Sequence, residues 1–194
     1  DPAAILKLSA DIGHYLADAH VPLHASSNHN GQLSGQEGIH GFWESRLPEL
    51  LAESSWDFFV GRAFYLKNPT TFIWQRVFES AAAADTVLQL EATLNRQTRP
   101  DKKFAFEPRN GRLIRQYSLS YALAYNQLLN NMVERRMQQS ILAVASFWYT
   151  AWVNAGQPDL SKLTGLPLST ADSLEYAELN RAWREKPLLG RSCD

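Results

Sequence analysis

Residues 112–155 read RLIRQYSLSYALAYNQLLNNMVERRMQQSILAVASFWYTAWVNA, and this stretch decides the fold class. Tyr117, Tyr121, Tyr125, Leu128 and Met132 recur at steps of three and four, the spacing of one face of a helix. The pattern predicts a single long helix from about Arg112 to Ala155, stopped by Gly156-Gln157-Pro158. Its most apolar part, Ile141 to Val153, is too short to span a bilayer and reads as the buried part of that helix. The sequence therefore predicts no transmembrane segment.

The chain on either side carries the same period. Ile5, Leu8, Ile12, Leu16 and Ala19 predict a first helix around residues 3–21, ended by Pro22. Residues 25–38 form a polar, Gly-rich loop, and Ile39, Trp43, Leu47 and Leu50 mark a second helix. A short aromatic helix is expected over 56–66. Asn68-Pro69 then gives a capped start for a helix running to about Asn95. Arg96 to Gly111, with two prolines and mixed charge, reads as a connection. No stretch is read as a strand. The expectation is an all-α, bundle-like domain over 1–160, with an irregular tail over 161–194 holding one helix near Ala171–Trp183.

Composition suits that reading. A chain of 194 residues with 45% hydrophobic and 20% charged side chains excludes disorder and fibrous repeats. Six Trp, seven Tyr and nine Phe against two Met point to a rigid core. A formal net charge of -1 gives no general field toward nucleic acid or anionic lipid, so phosphate recognition would have to be local. The single cysteine, Cys193, excludes an intrachain disulfide without fixing the compartment.

All five histidines fall between positions 14 and 40: His14, His20, His24, His29 and His40. Metal binding is the physical role that gathers imidazoles, because a cation needs several neutral nitrogen donors converging on one point. His14 and Asp18 are four apart and share a helical face; His40 and Glu44 repeat the arrangement. The first pair also suits a solvated charged face. The second lies on or beside the face of Trp43, Leu47 and Leu51, where a carboxylate needs a partner, either a metal or a buried ion pair. His24, just past the Pro22 kink, can turn toward the second helix. His24, His40 and Glu44 would then leave a coordination position for water, as catalytic zinc does. His29 reads as an exposed loop residue and His20 as a supporting or packing histidine.

Taken together, His14-Tyr-Leu-Ala-Asp18-Ala-His20-Val-Pro-Leu-His24, a Gly/Asn loop and Gly38-Ile-His40-Gly-Phe-Trp-Glu44 resemble a known pattern. It is that of the zinc-dependent superfamily joining bacterial phospholipase C to the single-strand-specific nucleases. The likeness covers about thirty residues: His-x-x-x-Asp, Pro-Leu-His, then His-x-x-x-(Asp or Glu). It implies an all-α fold and a cleft with up to three zinc ions. By resemblance His14 binds one zinc, Asp18 bridges the closely spaced pair and serves catalysis, and His24, His40 and Glu44 hold the remaining ion. Clustered cations of this kind neutralise a phosphate ester's transition state and activate water.

The implied activity is zinc-dependent phosphodiester hydrolysis, with a phosphate ester substrate that is either nucleic acid or phospholipid. Trp43 and His20 resemble the nucleases, Glu44 the phospholipases. The other reading is a non-catalytic helical protein keeping a partial zinc site for structure or partner binding. In the family, a leading Trp and further His and Asp ligands precede the first motif, whereas here no histidine precedes His14. The expectation is that a missing N-terminal segment completes the site, and that the isolated chain binds metal weakly and is inactive. The resemblance also suggests secretion or a periplasmic location.

Overall fold

A computed structural model of the protein describes residues 2–109, 111–161 and 169–185. It is mostly helical. In chain order the elements are α1 (Pro2–Asp18), a 3-10 turn (Pro22–Ala25), α2 (Ile39–Gly41), a π turn (Phe42–Arg46) and α3 (Leu47–Ser55). Then come α4 (Pro69–Gln97), α5 (Pro100–Lys103), β1 (Phe104–Arg109), β2 (Arg112–Tyr117), α6 (Leu119–Leu128), α7 (Met132–Asn154) and α8 (Thr170–Glu185).

The expected single helix over 112–155 is three elements, and the all-α expectation becomes mostly-α. Arg112–Tyr117 is the second strand of an antiparallel hairpin, pairing Phe104 with Tyr117 and Arg109 with Arg112. Gly111, which leads into β2, takes φ 74°, where a Cβ would be strained. Ser118 then caps α6 by accepting a hydrogen bond from the Tyr121 amide, 3.3 Å. A second break separates α6 from α7, where Asn130 and Asn131 take φ of 49° and 55°. Asparagine tolerates that left-handed region, and the Asn126 amide bonds the Asn131 side chain across the break, 2.8 Å. Gly156, φ 82°, ends α7 with its amide on the Val153 carbonyl, 3.0 Å, as the Gly-Gln-Pro signal predicts.

Residues 56–66 are not the expected aromatic helix. They run extended along α7, whose side chains replace the helical hydrogen bonds. Glu134 accepts from the Asp57 amide, Ser146 from the Phe64 amide and Thr150 from the Leu66 amide, while Gln138 donates to the Asp57 carbonyl. The start of α4 follows the sequence, with the Asn68 side chain accepting from the Thr71 amide, 3.0 Å. α8 matches the helix expected in the tail, and its Leu174, Tyr176 and Leu179 are exposed. Cys193 lies outside the described residues.

The core gathers on Phe42, which stacks on Tyr117 and Tyr125 at centroid distances of 3.8 and 5.1 Å. Tyr121, Tyr125, Leu47, Leu51, Val87 and Val133 close around it. Of the five residues expected in register, Tyr121 and Tyr125 are buried, Tyr117 and Met132 pack partly against the core, and Leu128 is exposed. Leu129, four residues after Tyr125, is buried in its place. Arg46, buried under the hairpin, donates to the Tyr117 carbonyl and pairs with Glu49 and Glu107.

α1 lies along α7, with Trp148 donating from Nε1 to the Ser9 carbonyl, 3.0 Å. Of the stripe Ile5, Leu8, Ile12, Leu16 and Ala19, only Leu16 is buried. Ile5, Leu8 and Ile12 are exposed because α1 meets α7 through Ser9 and Gly13. A Cβ added at Gly13 would meet Trp148 and Val144 at 3.7 Å, an ordinary contact.

Candidate metal centre

The four short segments between residues 14 and 44 bring all five candidate donors into one chain of contacts. His14 Nε2 lies 3.4 Å from Asp18 Oδ2, and Asp18 Oδ1 lies 3.6 Å from His24 Nε2. His24 Nε2 is 3.5 Å from Glu44 Oε2, which accepts from His40 Nε2 at 2.7 Å. One ligand atom each from His24, His40 and Glu44 falls within 4.8 Å of the other two. His14 stands at the far end, linked through Asp18.

Local structure explains how these residues meet. α1 ends at Asp18, and the 3-10 turn begins with Pro22, whose fixed φ suits a helix start. Leu23, fully buried, anchors that turn against α4, where Ser80 donates to the Ala19 carbonyl, 2.7 Å. His24 is thereby turned toward His40, ring centroids 4.6 Å apart and nearly perpendicular. The loop between them is tied together by its own side chains. Asn28 accepts from the Leu33 amide, and Asn30 accepts from the Gly38 amide. Gln36 donates to the Leu88 carbonyl of α4. Gly31, φ 78°, is required there, because a Cβ would fall 2.4 Å from the Gln36 carbonyl oxygen.

Glu44 rides on the π turn, where the Leu47 amide bonds the Phe42 carbonyl five residues back. Wide turns of this kind concentrate at functional sites. Successive residues on a helical turn point about 100° apart, so adjacent side chains here can differ in burial. Trp43 is 2% exposed, yet the Glu44 side chain is 40% exposed. The expectation that Glu44 points toward the core is corrected accordingly. Its carboxylate sits at a solvent-facing edge beside the imidazoles.

The electrostatics favour an ionised carboxylate. Hydrogen bonds from His24 and then His40 outweigh partial burial and hold the Glu44 carboxyl at about 2, below the usual 4.5. Two imidazoles and an anionic carboxylate are the donor types zinc takes, and solvent can reach the group from one side. The donor set thus fits a zinc ion on chemistry and convergence.

Of the remaining histidines, His20 packs inside as expected, whereas His29, expected to be an exposed loop residue, is not one. His29 is half-buried with its ring 6.2 Å from His40, beside the three donors. His20 is 1% exposed and donates from Nδ1 to the Leu16 carbonyl, 2.7 Å. Burial pushes its pKa below the ordinary value despite that bond. The π turn and the role of Gln36 in fixing the loop had no signal in helical periodicity.

No protein-family model, curated protein or solved structure matches the chain. Among the described residues, no helix is long and apolar enough to cross a membrane.

Proposed function

We propose that His24, His40 and Glu44 hold a zinc ion and that the protein hydrolyses phosphodiesters, in the manner of the zinc phospholipase C and nuclease superfamily its motifs resemble. The observation supporting this most is the convergence of the three donors from three different local structures: a 3-10 turn, a short α-helical turn and a π turn. Zinc at such a site supplies Lewis-acid activation of water and of the phosphoryl oxygen, and offsets developing negative charge.

The chain's own residues set the conditions for that chemistry. Glu44 stays anionic through the working pH range and balances part of the cation's charge. His24 and His40, whose Nε2 atoms face Glu44, must offer those nitrogens as lone pairs, so metal uptake releases protons. Asp18, within reach of both His14 and His24, is placed to hold His24 in orientation and to join a second metal position. In this proposal a second metal position at His14 and Asp18 would need donors beyond these two side chains.

A zinc site that only braces the fold is the other reading. It is favoured less, because structural zinc is enclosed by four protein donors. Here three donors converge among the described residues, with Glu44 40% exposed. The test is turnover of bis(p-nitrophenyl) phosphate by the zinc-loaded protein. Activity should vanish with chelator, return with zinc, and be lost in Asp18→Asn and Glu44→Gln. Chelator-resistant turnover contradicts the proposal.

A further inference from the structure

The β-hairpin is a part of the molecule that the zinc reading leaves unused. Residues 96–115 hold seven Arg or Lys against Asp101 and Glu107, a net charge of +5 in a chain whose total is -1. The near-zero total therefore hides a basic segment on an otherwise acidic chain. Ion pairs account for part of it: Arg99 with Asp101, Lys103 with Glu91 and Arg109 with Glu49. Arg96, Lys102, Arg112 and Arg115 are exposed and form no ion pair among the described residues.

The strand register gathers apolar groups beside these cations. Phe106 pairs with Arg115 and Pro108 with Leu113, so the four share one face of the two-stranded sheet. Phe106 is 71% exposed and Leu113 73%, and Pro108 is exposed with them. Arg112 precedes Leu113 at the end of β2 nearest Gly111. The Arg115 guanidinium lies over the Phe104 ring, 3.7 Å from its centroid, which holds it against the sheet while the residue stays exposed. Glu107 is held by Arg46. Glu37 and Asp101 line the groove beside Phe104 and Phe106, so the uncompensated positive charge lies toward Arg112.

We propose that this face of the hairpin docks on the surface of an anionic phospholipid bilayer. Phe106, Pro108 and Leu113 enter the boundary between headgroups and acyl chains, and Arg112 and Arg115 meet lipid phosphates. Nucleic-acid bases stack on rings, but Leu113 and Pro108 offer no aromatic face and Phe104 is covered by Arg115. A face of four residues also falls far short of the roughly 20–30 a side that a stable protein interface uses. The docking does not need zinc. Joined to the zinc reading, and there resting on it, it selects phospholipid over nucleic acid as the ester.

The 194-residue chain, with chelator present, is sedimented with vesicles of phosphatidylcholine and phosphatidylserine in equal parts, and with vesicles of phosphatidylcholine alone. Binding should be about tenfold or more tighter to the mixed vesicles and should weaken as salt is raised. The double variants Phe106→Ser/Leu113→Ser and Arg112→Glu/Arg115→Glu should each weaken it about tenfold, with the circular dichroism of the parent. Lys7→Glu/Lys67→Glu makes the same charge change at exposed positions outside the segment and should leave binding within about twofold. His24→Ala should keep vesicle binding while removing zinc binding, which separates failure of this proposal from failure of the zinc reading. Absence of a preference for the mixed vesicles, or binding unchanged in Phe106→Ser/Leu113→Ser, overturns the proposal. So does tighter binding to poly(dT), or a dimer, that either hairpin variant abolishes.

Discussion

Two glutamates show what kind of polar cluster each part of the molecule builds. Glu91, on α4, is 1% exposed and accepts from Lys103, Gln36 and Tyr121 at 2.8, 2.5 and 2.7 Å. Glu44 is 40% exposed and is met by two imidazoles. In the first cluster the donors are an ammonium, an amide and a phenol, none of which serves as a zinc ligand here, and they fill the carboxylate's surroundings. In the second the donors are imidazoles, a side-chain type that zinc takes, and one side is open. A saturated, buried carboxylate specifies packing; an open one bordered by histidines is what the proposed zinc site requires.

If that contrast is right, the largest stability effect lies at Glu91. Glu91→Ala strands Lys103 against three aromatic rings and should cost about 3–5 kcal/mol in denaturant melts. A cost below ~1 kcal/mol would show that the cluster is not structural. Gly31→Ala should follow at roughly 1–3 kcal/mol, since the Cβ meets the Gln36 carbonyl at 2.4 Å in a left-handed backbone. It should also weaken zinc binding by loosening the segment that carries His40.

Acid melts sharpen the same comparison. Burial pushes Glu91 up, but hydrogen bonds from Lys103, Gln36 and Tyr121 leave its carboxyl below 4.5 in the folded state. The folded state therefore favours the ionised form. The resulting stability is complete above pH 4.5 and is lost as pH falls through the lower folded value. Tyr121→Phe should shrink that acid-labile component and cost about 1 kcal/mol at neutral pH. The smallest effect belongs to Glu44→Gln in the metal-free chain, within about 0.5 kcal/mol, because the group is well exposed.

Much of the donor cluster was legible because it rests on local rules. The i, i+4 pairs His14/Asp18 and His40/Glu44 are neighbours on any helix, and Pro22 announced the turn that redirects His24. What escaped was everything set by distant partners. Residues 56–66 take their hydrogen bonds from α7 side chains more than seventy positions away, so their aromatic content misled. The hairpin had a signal, Asn110-Gly111 between alternating segments, but the four-residue spacing of Tyr117, Tyr121 and Tyr125 extended the helix backward over it. Tyr117 ends a strand and Tyr121 begins a helix, yet they share one aromatic stack. The break at Asn130-Asn131 carries neither Gly nor Pro, so periodicity ran through it.

Calorimetric titration of zinc into the chelator-stripped chain tests the central claim most directly. Saturable binding of about one zinc is expected at the His24, His40 and Glu44 group, with buffer-dependent heats that report proton release. That binding should be lost in His24→Ala, His40→Ala and Glu44→Gln, all still folded by circular dichroism. Absence of saturable binding, or zinc affinity unchanged by Glu44→Gln, would contradict it.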